Sequence, residues 1–396
     1  MNKNYARFLS ALFCGFLAVL FTANALTPDK EFSQVENRAL AQKPQITGNT
    51  FQLPPLSGLF TSDQGGDFFT GKLMSDYETY TIDQFVLRDT WVAAKAYAEK
   101  LVGKKENNDV YFCADGSLIT RFDEPDAKRL ERNFGYVSKF AGTADIPVYF
   151  GLIPTQASVW DYKLPQGAPN YDQNLVLDAA QSAVTGVTHI DLAENLNQHK
   201  EEAIFYRTDH HWTSLGAYYG YVSIMEGLGR GDEVIPLENY TKTTVSTEFY
   251  GTVFSSSGVR WVKPDEMDTY VPEDGLTLIT VSTNASNLEE RTQRPFYDKS
   301  YLEVKDKYSM FLGGQQPLGV VYTGNTDKPK LLLIRDSYSD SLVPFLTPHF
   351  SEIHLIDLRY YKTSASEYIT KNGIDTALVL FSVPNFVSEA NLVFLR

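Results

Sequence analysis

Cysteine is nearly absent from this chain. Its 396 residues hold two, Cys14 and Cys113, too few for a disulfide framework. No Cys-x-x-Cys pair and no histidine-rich run supplies the ligand spacing of a structural zinc site, so no metal is expected. Basic residues are outnumbered, 35 Lys and Arg against 49 Asp and Glu, and the net charge of −14 speaks against a nucleic-acid partner. An acidic balance says little about a neutral sugar or a small acyl group. After residue 26 no apolar run is long enough to span a bilayer, and no repeat or low-complexity tract interrupts the chain. What is present is the make-up of an ordered globular protein: 43% hydrophobic, 13% aromatic and 21% charged residues, enough for one large core or two ordinary ones.

The one long apolar run stands at the N-terminus. Lys3 and Arg7 precede Phe8 to Phe21, which gives way to Thr22-Ala23-Asn24-Ala25. A charged start, an apolar centre and an Ala-x-Ala-like end make a secretory signal. The run also nearly reaches the ~20 residues of a membrane-spanning helix. Residues 1–26 are therefore read as a signal peptide or a retained anchor. Either one engages the membrane at least transiently and places the rest of the chain outside the cytoplasm, secreted or anchored. Cys14 follows Leu12-Phe13, without the small residue of a lipobox, so no lipid is expected there.

Residues 27–107 read as a tether and a helical arm. Thr27 to Pro55 is polar, rich in Pro, Asn and Gln, and without a sustained period. From about Gly66 to Lys104, Phe68, Leu73, Tyr77 and Tyr80, then Trp91, Ala94, Tyr97 and Leu101, recur at helical spacing. The main domain spans 108–396. Val110 to Cys113, Pro147 to Pro154 and Val187 to Asp191 have strand character; Asp126 to Phe140, Asn174 to Ala183 and Leu215 to Met225 have helix character, the last capped by Thr213 or Ser214. About 233–329 the helical period vanishes and short alternating runs appear, which predicts a β-rich insertion. Leu331 to Ile334, Ile353 to Asp357 and Ala377 to Phe381 are apolar strands separated by helices. That alternation predicts an α/β fold whose parallel sheet is covered on both faces.

Two stretches carry chemistry. Tyr206-Arg207-Thr208-Asp209-His210-His211-Trp212-Thr213 holds two of six histidines beside an aspartate. Leu331-Leu332-Leu333-Ile334-Arg335-Asp336-Ser337 is an apolar strand ending in an acid and a serine. In open parallel sheets ligands sit outside the carboxyl ends of strands, which is where Ser337 falls. A hydroxyl, an imidazole and a carboxylate are the parts of a Ser-His-Asp acyl-transfer site. The bland alternatives are a serine that caps a helix and two histidines that pack on Trp212. Asp209, His210 and His211 could also seed a metal site, but His189, His199, His349 and His354 add no third ligand at a known spacing.

The Asp209-His210-His211-Trp212 run resembles the signature of the DHHW family of bacterial extracytoplasmic proteins. That family is in turn similar to the SGNH hydrolase-like domain of the alginate O-acetyltransferases AlgJ and AlgX. The resemblance extends to Glu36-Asn37-Arg38-Ala39-Leu40, Asp109-Val110-Tyr111, Leu152 to Thr155, Phe249-Tyr250-Gly251-Thr252, Tyr308 to Gly314 and Asp357 to Tyr361, in order. It implies a three-layer α/β/α SGNH-like domain with a helical arm and a β-rich insertion. Carried over by position, Ser337 is the nucleophile, His211 the base, Asp209 its orienter, and His210 the intervening residue. Asp336-Ser337-Tyr338-Ser339 is similar to the SGNH serine block, with Arg335 where that block has glycine; its guanidinium either narrows the turn or points at substrate.

Further oxyanion or substrate candidates are Asn385, after the last strand, Arg359, after the second, and the bare N–H groups of Gly313 and Gly314, each also an ordinary loop residue. Tyr218, Tyr219, Tyr221, Tyr360 and Tyr361 are either core residues or a surface on which sugar rings stack. The resemblance implies an exported O-acyltransferase or acetylesterase acting on a cell-envelope or secreted polysaccharide, without a cofactor, and supplied by a membrane-bound acyl-donor protein. The alternative is a non-catalytic polysaccharide-binding protein on the same fold. A formed Ser337–His211–Asp209 line favours the enzyme.

Overall fold

The computed structural model describes residues 3–53, 66–284 and 287–396. The chain divides into two compact units, Met1–Lys104 and Lys105–Arg396.

In the first unit, Lys3–Leu26 is one helix, long and apolar enough by length and composition to cross a membrane, as a signal sequence also would be. Lys72–Asp83 and Arg88–Leu101 form the two helices expected from the periodicity. The segment expected as a tether, of which residues 54–55 lie outside the described residues, makes local pairs within this unit. Phe32–Ser33 and Arg38–Ala39 pair antiparallel, and the Arg38 guanidinium forks onto Asp83 at 2.8 and 2.6 Å. Glu36 accepts from Arg38 and Arg88, each at 2.7 Å. Compositional polarity concealed these charge pairs, which anchor a segment too polar to bury much apolar surface.

The second unit is built on a sheet in the order Thr292–Arg294, Ile279–Ser282, Leu318–Tyr322, Glu352–Ile356, Lys330–Arg335, Thr376–Ser382, Val148–Ile153, Thr188–Ile190. The last five run parallel to one another; the first three pair antiparallel with their neighbours. Leu331 to Ile334 and Ala377 to Leu380 are fully buried, as strands covered on both faces must be. Helices Ala127–Thr143, Gln173–Ala183 and Val383–Ser388 pack as one group, and Ala193–Gln198, Ser214–Gly227 and Val343–Leu346 as another, giving the three-layer α/β/α architecture. The predicted cap Thr213 accepts from the Gly216 N–H at 3.2 Å.

The β-rich stretch 233–329 is not one separate excursion. Tyr240–Phe249 and Asp265–Pro272 form an antiparallel ribbon of their own. Ile279–Ser282, Thr292–Arg294 and Leu318–Tyr322 instead extend the central sheet, so the sheet is mixed rather than parallel throughout. Short antiparallel strands carry no signal in the sequence that distinguishes pairing with the main sheet from pairing among themselves.

Candidate active site

Four strand ends converge on the site. The strand Lys330–Arg335 delivers Asp336 and Ser337, Thr376–Ser382 delivers Asn385, Glu352–Ile356 delivers Asp357 and Arg359, and Val148–Ile153 leads to Gln156. All lie at the carboxyl edge of the parallel strands, the usual address of a ligand site.

Ser337, His211 and Asp209 are brought into line. His211 Nε2 lies 2.8 Å from Ser337 Oγ, and His211 Nδ1 lies 2.6 Å from Asp209 Oδ1. All three are buried. An ionised carboxylate only accepts, so His211 carries its proton on Nδ1 and its Nε2 lone pair receives the Ser337 hydroxyl proton. Burial raises the Asp209 pKa, but the neighbouring imidazoles of His210 and His211 and the hydrogen bonds from His211 and the Thr252 N–H outweigh it. The carboxyl ends well below the usual range and stays charged.

Asp209 is bracketed by groups that the sequence reading did not assign. Its Oδ2 accepts from the Thr252 N–H at 2.7 Å and the Thr252 hydroxyl at 2.9 Å. The chain comes this close because residue 251 is glycine: a Cβ there would stand 2.2 Å from Asp209 Cβ and 2.3 Å from Oδ2. Gly251→Ala is expected to lower stability by about 1–3 kcal/mol through this overlap. An unchanged urea midpoint would refute the constraint. Gln156 Nε2 donates to the backbone carbonyls of Tyr206 and Asp209, and Asp265 accepts from the Arg207 and Thr208 N–H groups at 3.0 and 2.8 Å, which fixes the loop. The signal for Thr252 was present in Phe249-Tyr250-Gly251-Thr252.

Tyr308 was likewise missed as a functional neighbour. Its ring stacks on His211 at 3.7 Å with an interplanar angle of 6°, and its hydroxyl donates to the Ser337 carbonyl at 3.0 Å. One side chain thus holds both the base and the nucleophile's backbone. Tyr338 donates to the His210 carbonyl, and Trp212 Nε1 donates to the Tyr338 carbonyl at 2.8 Å. The two motifs read separately in the sequence are in this way bolted together.

The alternative of Ser337 as a helix cap is taken by another residue. Asp336 caps the short 3-10 turn Ser337–Ser341, accepting from the Tyr338 N–H at 3.0 Å. Its other oxygen accepts from the Ser382 N–H at 2.8 Å, the Ser382 hydroxyl at 2.7 Å and Asn385 Nδ2 at 2.7 Å. Asn385 is therefore held by Asp336 through one amide proton, leaving the second for a ligand. The Ser337 N–H has no acceptor among the described residues.

The remaining candidates are engaged by other partners. Arg335 does not point at a substrate: it is buried, with Nη1 2.5 Å from Asp340, whose carboxyl burial pushes up to about 7. A side chain sealed under the turn cannot reach the cleft. Arg359 is forked onto Asp357 at 2.9 and 2.6 Å, which occupies the guanidinium face that would bind a substrate carboxylate. Gly313 and Gly314 have φ of 74° and 84°, the left-handed turn geometry that favours glycine. The Gly314 N–H is directed to the Phe311 carbonyl at 3.4 Å, so it is committed to the turn. Tyr218, Tyr221 and Tyr361 are core; Tyr360 alone of the five is exposed.

Beside the triad opens a cleft of about 340 Å³, with His210, Thr252, Tyr338, Ser382 and Asn385 in its wall. Asp209, His210 and His211 also lie close enough together to hold a metal ion, but both nitrogens of His211 already have partners in Ser337 and Asp209.

A mixed sheet with a buried Ser-His-Asp line at its carboxyl edge defines an SGNH-like α/β/α protein. The family model described as DHHW protein matches residues 171–356. Among solved structures the chain is similar to a DHHW family protein from Eubacterium siraeum, with 24% identity, a TM-score of 0.62, and coverage of 73% of this chain and 95% of that one. It is similar also to Bacillus cereus PatB1 with a sulfonyl adduct, with 22% identity, a TM-score of 0.61, and coverage of 72% and 98%. The O-acetyltransferase domain of Pseudomonas putida AlgJ is more distant, at 17% identity and a TM-score of 0.45 over 73% and 95% of the two chains. No curated protein matches the chain.

Proposed function

We propose that the protein is an exported serine O-acyltransferase or acylesterase whose acceptor is a cell-envelope or secreted polysaccharide. The observation that carries this reading is the closed Ser337–His211–Asp209 line, 2.8 and 2.6 Å between successive groups, beside an open cleft. A protein that only bound sugar would have no need to bury three polar groups in that order.

In acylation the Ser337 Oγ attacks the donor's carbonyl carbon while His211 Nε2 takes the hydroxyl proton. The leaving group departs with that proton, and Ser337 carries the acyl ester. The Ser337 N–H and the free Asn385 amide proton are the donors available to the oxyanion. In the second half a sugar hydroxyl or water gives its proton to His211 and attacks the ester. Asp209 holds the imidazole and compensates the imidazolium that forms in each half. No cofactor takes part in these steps.

Acetyl as the group transferred, and a membrane-bound donor protein as its source, follow from the DHHW resemblance and the N-terminal segment. A sulfonyl adduct on the related PatB1 is the kind of product a reactive nucleophile gives, as proposed here for Ser337. The test is incubation with a chromogenic acetyl ester followed by intact-mass and peptide analysis. One acetyl group on the Ser337 peptide, discharged by added glycan, is the expected result. Failure to acquire label from several acyl esters would sink the reading in favour of a binding protein.

A further inference from the structure

His210 has a free nitrogen whose protonation state the surrounding hydrogen bonds determine. Thr252 has a single hydroxyl proton, and Asp209 Oδ2, 2.9 Å away, can only accept it. The Thr252 oxygen must then accept in its other contact, 2.7 Å from His210 Nδ1. His210 therefore carries its proton on Nδ1. Desolvation of this partly buried imidazole and the adjacent His211 lower its pKa, against the opposing pull of Asp209 and Asp336, so the ring is neutral near pH 7. Arg359 acts in the same direction as His211. Nε2 is left as a bare lone pair with no donor among the described residues, on a ring that is 39% exposed and forms part of the cleft wall. The rings of His210 and His211 lie 3.8 Å apart, centre to centre.

We propose that His210 is a positioning residue for the acceptor, its Nε2 taking a hydrogen bond from a hydroxyl next to the one acylated, so that the site selects acceptors with two adjacent hydroxyl groups. The inference rests on the acyl-transfer reading above. Once Ser337 is esterified, His211 Nε2 is released to receive the proton of the attacking hydroxyl. The acceptor oxygen bonds the acyl carbon, the bond from that carbon to Ser337 Oγ breaks, and the proton passes from His211 to Oγ. The neighbouring hydroxyl keeps its own proton throughout, shared with His210. Water or a simple alcohol satisfies His211 alone. A vicinal diol, the commonest unit of a sugar ring, satisfies both imidazoles.

The experiment forms the acetyl-enzyme from a chromogenic acetyl ester and measures its partition to propylene glycol and to n-propanol. The wild type should favour the diol by roughly fivefold to tenfold, the worth of one neutral hydrogen bond. His210→Leu should bring that ratio to about one, whereas His210→Gln, with an amide oxygen near the Nε2 position, should keep part of it. Should the leucine variant fail to fold, Gln against Asn decides, since the shorter amide should lose the preference. A ratio unaltered by these changes overturns the inference while leaving acyl transfer standing. Absence of any acetyl-enzyme in the wild type overturns the acyl-transfer reading, and this inference with it.

Discussion

Ser337→Ala is expected to abolish the acyl adduct and to lower turnover by roughly 10³-fold to 10⁶-fold, because its hydroxyl is the one bonded to the His211 base. Folding should hardly change. Among the described residues the Ser337 hydroxyl bonds His211 alone, and the turn it starts is capped by Asp336, so trading hydroxyl for methyl should cost about 1 kcal/mol or less. The outcome separates chemistry from capping. A helix cap would lose stability and keep its activity; a nucleophile does the reverse. Thermal melting and a stopped-flow burst with a chromogenic ester, run on the same preparations, read both. A full-sized burst in the alanine variant would remove Ser337 from the mechanism.

Asp209→Asn should be nearly as damaging, by about 10³-fold to 10⁴-fold in turnover, through loss of the His211 tautomer and of the charge that balances the imidazolium. It also has a stability signature. The Asp209 carboxyl is held well below the usual range in the folded protein. The stability it contributes is therefore fully present above the ordinary carboxylate pKa of about 3.9, and is lost as the pH falls through and below that value. The variant should be less stable than the wild type at pH 7, and the gap should narrow towards about pH 3. Urea midpoints at the two pH values check this. A gap that widens in acid would mean that the carboxylate is not the stabilised form.

Much of the fold was legible because its core strands are unambiguous. Leu331 to Ile334 and Ala377 to Phe381 are continuous apolar runs bounded by turns, a pattern that parallel burial imposes. Asp209, His211 and Ser337 were singled out through the resemblance to the DHHW signature and the SGNH serine block, and the folded chain brings the three into hydrogen-bonding line. What stayed hidden depends on long-range approach. Thr252 and Tyr308 stand in motifs that carry the resemblance, yet only the folded chain shows them against Asp209 and His211. The mistaken expectation for Arg335 has the same origin. From sequence a charged residue beside a candidate nucleophile suggests recognition, yet Asp340, five positions on, takes the guanidinium inward. The 27–53 segment misled for the opposite reason, since its polarity concealed partners of opposite charge.

The hydrogen bond between His211 and Ser337 joins residues 126 positions apart, and the ring that stacks on His211 comes from Tyr308 in yet another segment. Contacts of such sequence separation are costly in loop entropy and form late, after local helices and the apolar strands have already condensed. Until they form, Ser337 has no base within reach and its hydroxyl is as unreactive as any other serine's. On the proposed function, reactivity at Ser337 therefore arrives only with the completed tertiary structure.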